Sequence, residues 1–228
     1  LQKISESAHN AGGTLGCDLA HAIGNLELKL HDWEVDFAVW CSYKYLNGGP
    51  GSIGGAYIHQ KHANARNFRL AGWWGNEPST RFQMQSEKTF IPKKGVDGWQ
   101  VSNPPILSAA PLRASLEIFS NATMSKLRKK NIKLNKFLRR ALKLCCKEKI
   151  KIITPEEEKS HGSQLSIRVD GDLKIIQEKL FKEDIVVDTR DPDIIRIAPA
   201  PLYNSFYDCA MAAIKLEAAT RTIINAVI

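Results

Sequence analysis

Near Pro111 the hydrophobic pattern of this 228-residue chain changes period, and that change limits it to two architectures joined end to end. Before Pro111, short apolar runs stop at polar or glycine-rich turns. GTLGC runs into Asp18, VDFAVWCS delivers Tyr43 and Lys44, and GAYIHQ follows the glycine-rich NGGPGSIGG. Short buried runs closed by turn residues read as strands of an α/β sheet. After Pro111 a long helix is expected through SLEIF, KLRKK and KFLRRAL, broken near Asn121 or Met124. Strands KIIT, QLSIRV, IVVDT and IIRIAP then share the chain with a helix, DLKIIQEKLFKE, and a closing helix, FYDCAMAAIKLEAATRTIINAV. That order describes an α+β module whose antiparallel sheet carries helices on one face. The expected domains are residues 1–110 and 111–228, and the expected class is α/β.

Composition excludes several function classes. Hydrophobic residues are 43% and charged residues 25%, as in an ordinary globular chain. No apolar run is long enough for a membrane span, and no basic-then-apolar leader opens the chain, so neither membrane nor signal peptide is expected. The first residues, LQKISESAHNAGGT, read as continuing from something upstream. The net charge of +8 gathers between Lys126 and Lys151. There Leu127, Ile132, Leu134, Phe137, Leu138, Ala141, Leu142 and Cys145 keep helical spacing, which reads as an amphipathic helix with a solvated basic face. No nucleic-acid-binding pattern accompanies it, so no nucleic-acid partner is expected. The five cysteines form no CxxC pair, so no metal site is expected; they read as reduced, mostly buried thiols of a cytoplasmic protein.

From Lys61 to Pro105 the chain is rich in Trp, Gly, Asn and Pro, and reads as the long irregular loops that often build binding sites. The tightest chemical constellation is Asp18, His21, Tyr43 and Lys44, each expected at the carboxyl end of a strand, where open α/β sheets place ligands. A strand-end lysine suits attack on an aldehyde. A carboxylate one strand away suits a protonated pyridine nitrogen, which makes the ring a better electron sink. From the residues alone other readings stay open: Asp18 as a helix cap, Lys44 as a surface residue, His21 as a core histidine.

The stretches GCDLAHAIGNLELKLHDWEVDFAVWCSYKYLNGGPGSIGGAYIHQKH, VSNPPIL and RIAPAPLYNSFYD resemble the C-terminal half of the kynureninase family, and the resemblance runs over essentially the whole chain. It implies a pyridoxal 5′-phosphate enzyme of fold type I. Residues 1–110 would be the end of a large, mostly parallel cofactor domain and 111–228 the small α+β domain. The activity implied is hydrolysis of L-kynurenine or 3-hydroxy-L-kynurenine to an anthranilate and L-alanine, by a homodimer. By motif, Lys44 would bind the cofactor covalently and Asp18 would pair with its ring nitrogen. His21 would lie beside the ring, and Tyr43 would reach the phosphate. Trp73 (with Trp74 as its rival) and Asn103 would approach cofactor and substrate, and Arg196 would hold the substrate carboxylate. Tyr203 and Asn204 would support that site. Much of the phosphate-binding cup would lie upstream of this chain. Two other readings remain: another fold type I enzyme, such as a cysteine desulfurase or aminotransferase, and a truncated, non-catalytic interaction protein.

Overall fold

The fold is a computed structural model that describes residues 1–64, 67–83 and 85–224. It forms two compact units, Leu1–Asn121 and Ala122–Ile228.

In the first unit a helix, α1 (Gln2–Asn10), precedes three strands, β1 (Gly16–Asp18), β2 (Phe37–Cys41) and β3 (Gly54–Ile58). They form a sheet in the order β1-β2-β3. β1 and β2 run parallel, with Asp18 opposite Val39. β3 returns antiparallel, with Gly54 opposite Cys41. The expected sheet was mostly parallel; among the described strands one pairing is parallel and one is not. The link between β2 and β3, residues 42–53, is a glycine-bearing turn with no crossover helix, so β3 returns alongside β2 in the opposite direction. α1 has no counterpart in the sequence reading.

The segment from Lys61 to Pro105 is irregular where described. It holds 3₁₀ turns at Gln60–His62, Arg81–Gln83 and Gly95–Trp99 and one isolated bridge, Asn76 with Pro92. Asn76 is 2% exposed, and its side-chain oxygen accepts the Ile91 N–H at 3.2 Å. A helix, α2 (Ile106–Ala122), ends the unit and contains Pro111.

The break expected near Asn121 or Met124 falls at Thr123, whose φ of 63° interrupts the helical backbone. Its hydroxyl accepts the Lys126 N–H and caps the next helix, α3 (Met124–Cys146). Four strands follow: β4 (Ile150–Ile152), β5 (Leu165–Val169), β6 (Asp188–Arg190) and β7 (Ile194–Ile197). Their order is β4-β5-β7-β6 and every pairing is antiparallel. α4 (Leu173–Lys182) starts at Asp172, whose carboxylate accepts two backbone N–H groups. α5 (Phe206–Ile224) closes the described chain, and positions 225–227 of the expected closing helix lie outside the described residues.

One face of this sheet packs on the helices. Leu165, Ile167, Val169, Ile195 and Ile197 meet Leu134, Leu138 and Leu142 of α3, Ile176 and Leu180 of α4, and Ala213 and Leu216 of α5. Each large side chain so buried stabilises the fold by about 1.5–3 kcal/mol. Two expectations need correction here. The strand IVVDT starts only at Asp188, because the Gln177 amide donates to the Val187 carbonyl at 2.9 Å and occupies a group a ladder would use. The basic helix does not leave all its charge in water. Arg139 is 7% exposed and donates to the Thr154 and Pro155 carbonyls, at 3.0 and 2.6 Å. Arg128 donates to Asn131 at 2.6 Å and to the His161 carbonyl at 2.9 Å.

Candidate active site

Because β1 and β2 are parallel neighbours, their carboxyl ends open on the same edge. Asp18 is the last residue of β1, and the chain then turns at once: Leu19 donates its N–H to the Val39 carbonyl, while Asp18 Oδ1 accepts the Ala20 N–H at 2.9 Å. Asp18 therefore does cap a turn, and its other oxygen is left for a second partner. The turn carries His21, and buried Asn25 donates to the His21 carbonyl at 3.0 Å. Gly24 closes the turn at φ +73°; a Cβ there would stand 2.7 Å from the Tyr45 carbonyl oxygen, so only glycine fits.

On the neighbouring strand a tight turn follows Cys41. Gly48 donates to the Ser42 carbonyl and Asn47 to the Lys44 carbonyl, which presents Tyr43 and Lys44 at the edge. Ser115 of α2 donates to the Leu46 carbonyl at 2.6 Å and fixes the turn from behind. The two turns meet at the Lys44 amine, 3.1 Å from His21 Nε2. The same amine lies 5.8 Å from the centre of the Tyr43 ring. A hydrogen bond with the Cys41 thiol pushes the Tyr43 phenol above its ordinary value. The Lys44 amine thus meets the His21 imidazole with the Tyr43 phenol ring beside it, and the Asp18 carboxylate ends the adjacent strand at the same edge.

Trp73 and Trp74 occupy different environments. Trp74 is half-buried, with the Arg81 guanidinium 4.5 Å from its ring. Trp73 is 56% exposed, with Phe82 edge-on at 6.2 Å. The ribbon that carries them lies against the backbone of residues 93–101. A Cβ on Gly72 would come within 2.1 Å of the Val101 carbonyl oxygen, and one on Gly75 within 2.8 Å of that of Gln100. Asn103 is exposed and accepts the Ser102 hydroxyl at 3.2 Å. In the second unit, Arg196 of β7 is paired with Asp188 directly across the ladder. Tyr203 is 67% exposed, while Asn204 accepts the Ala200 N–H at 2.8 Å and shapes its loop.

Sequence reasoning missed one cluster entirely. Asp36, at the start of β2, is 3% exposed and accepts four donors: His9 and His62 at 2.7 Å, Lys61 at 2.9 Å and the Leu15 N–H at 2.7 Å. Burial opposes its ionisation, but the bonds from His9, His62, Leu15 and Lys61 outweigh that and hold the carboxyl well below the usual carboxylate range. Its partners stand 21–27 residues away along the chain, so no local spacing announces them. Among the described residues no group of His, Cys, Asp and Glu has the geometry of a metal site, and no helix is long and apolar enough to cross a membrane.

Solved structures share this architecture. A cysteine desulfurase from Thermococcus onnurineus superposes with a TM-score of 0.77 at 17% identity, over 97% of this chain and 56% of its own. A cysteine desulfurase from Escherichia coli gives 0.75 at 17% identity, over 99% of this chain and 55% of its own. The fold is therefore that of the pyridoxal-phosphate enzymes of fold type I. Within that class the sequence is more specific. Residues 127–216 match the kynureninase C-terminal domain. A kynureninase of Xanthomonas oryzae is 48% identical over 96% of this chain, and one of Koribacter versatilis 49% identical over 92%. Over nearly its whole length the chain is therefore similar to kynureninases, and its second unit carries the match to their C-terminal domain. It spans about half the length of the curated relatives it matches, 52% and 49% in these two cases.

Proposed function

We propose that this chain forms the lysine-bearing half of a pyridoxal-phosphate-dependent kynureninase. The reaction is hydrolysis of L-kynurenine or its 3-hydroxy form to an anthranilate and L-alanine, in tryptophan breakdown and NAD biosynthesis. The observation that carries the reading is the Lys44 amine 3.1 Å from His21, at the sheet edge it shares with Asp18. That donor set fits pyridoxal phosphate: an amine for its aldehyde, a carboxylate for its ring N–H and an imidazole beside them. The whole family member is read as a cytoplasmic homodimer, with residues 1–110 closing its large domain and 111–228 forming its small one.

When bound, the cofactor supplies an electron sink conjugated to the substrate's Cα. Lys44 would hold the cofactor through its amine, and that amine would also serve as the base for the substrate's Cα proton. Asp18 holds the proton on the ring nitrogen. His21, 3.1 Å from the Lys44 amine, would keep that amine at the edge beside the ring, and Tyr43 would serve the phosphate. Trp73 and Asn103 approach cofactor and substrate from the long loops. Arg196 grips the substrate carboxylate, a task suited to a guanidinium fork. The overall hydrolysis adds one water across the Cβ–Cγ bond: the acyl carbon takes the hydroxyl and leaves as the anthranilate, while Cβ keeps the bonding pair and takes a proton to give L-alanine.

The test is the absorbance of the protein purified with pyridoxal phosphate, before and after borohydride. Mass spectrometry of the Lys44 peptide and a kynurenine assay complete it. A band at the visible edge that reduction fixes on Lys44, with turnover that Lys44→Ala lowers by about 10³-fold or more, supports the reading. An adduct on another lysine of a turning-over enzyme defeats it.

A further inference from the structure

β7 alternates: Ile195 and Ile197 enter the core of the second unit, so Arg196 projects from the opposite sheet face. Asp188 of β6 stands directly opposite it in the ladder. Its carboxylate takes the Arg196 guanidinium through Nη2 and also accepts Arg190 Nη1 at 2.6 Å. One carboxylate therefore bridges two arginines. Arg196 Nε is buried and has no hydrogen-bond partner. An unmatched buried donor is costly, so a ligand that reached it would gain by pairing with it. The guanidinium is held on one side, with donors to spare.

We infer that Asp188 is a positioning residue for Arg196: it fixes the plane of the guanidinium so that the remaining donors take the α-carboxylate of an amino-acid ligand. The inference rests on the reading of Arg196 given above. Asp188 also keeps Arg190 and Arg196 from acting as two loose like charges on neighbouring strands. Its own 47% exposure leaves it in contact with water, so it orients the arginine without neutralising it as a fully buried partner would. Asp188 touches neither substrate nor cofactor in this scheme.

The experiment uses the complete, cofactor-loaded enzyme and two readouts. One is equilibrium binding of L-alanine, a minimal α-amino acid; the other is the division of kynurenine kinetics between KM and kcat. Asp188→Asn should weaken alanine binding and raise KM by about tenfold, the usual scale for a hydrogen bond to a charged group, while kcat stays within about twofold. Asp188→Glu should regain part of the loss. Unchanged alanine affinity in Asp188→Asn, with Arg196→Lys clearly weakened, overturns the positioning role and spares Arg196. Unchanged affinity in Arg196→Lys overturns the carboxylate-binding reading, and the inference with it. A purely structural role is also a negative result: less folded protein, but unaltered affinity and KM in what remains.

Discussion

At the residue scale, Asp36 shows how much a single buried charge can organise. It ties α1, the entry of β2 and the turn after β3 through four donors. Asp36→Asn should cost about 2–3 kcal/mol near neutral pH, the worth of hydrogen bonds to a charged acceptor. The sign with pH follows from the direction of the shift. The folded carboxyl is held below its ordinary value of 3.8, so its contribution is complete above that value and is lost as pH falls through and below it. Urea unfolding between pH 5 and pH 3 should show the advantage of the wild type over Asp36→Asn shrinking; a constant advantage would contradict the assignment. The cysteines give a second prediction. They are less uniformly hidden than the sequence suggested: Cys146 and Cys209 are buried, while Cys17, Cys41 and Cys145 are half-buried. Burial pushes the Cys146 thiol up to about 12 and that of Cys209 to about 11. Native-state alkylation at mildly alkaline pH should spare these two, and their labelling at the rate of denatured protein would refute it.

At the element scale, α3 carries the second unit. Leu134, Leu138 and Leu142 are fully buried, one turn apart, against the sheet. Leu138→Ala should cost about 2–5 kcal/mol by denaturant unfolding. Phe137, 38% exposed beside Phe206, should cost much less on the same substitution; equal losses would mean the helix packs by another face. Most elements were legible because periodicity is local: β1, β2 and β3, the break near Thr123 and the four strands of the second sheet all follow runs visible in sequence, though not the order in which those four strands lie. Three features were not. The start of β6 depends on Gln177, ten residues upstream of the carbonyl it takes. The buried Arg139 donates from Nη1 and Nη2 to carbonyls beyond the end of its own helix. α1 is held in part by Ser5, which donates to the Glu34 carbonyl. Each depends on a distant partner, which a window of sequence cannot show. The site divides the same way. Asp18 and Lys44 could be placed at strand ends from their runs, whereas the supporting Asn25, Ser115 and Asp188 are visible only through their bonds.

At the scale of the whole molecule, each unit keeps large apolar side chains in water. Phe37 and Val39 are 46% and 50% exposed on one face of the first sheet, and the outer side of β1 has no strand partner among the described residues. Phe181, Val186 and Tyr207 are 67%, 80% and 71% exposed in the second unit. Contiguous exposure of this kind marks surfaces that bind or aggregate. The 228-residue chain on its own should bind a hydrophobic dye strongly, and Phe37→Ser with Val39→Thr should reduce that signal; unchanged dye binding would place the sticky surface elsewhere.

The two glycines that flank Trp73 and Trp74 carry a warning for anyone who maps this protein by saturation mutagenesis. At Gly72 and Gly75 any side chain would run into carbonyl oxygens of the facing backbone, which cannot swing aside as a side chain can. Such a map would score both positions as intolerant as the lysine. Intolerance there reports crowding between two stretches of backbone, so a ranking by fitness alone would merge the residues that hold the loop with those that carry out the reaction.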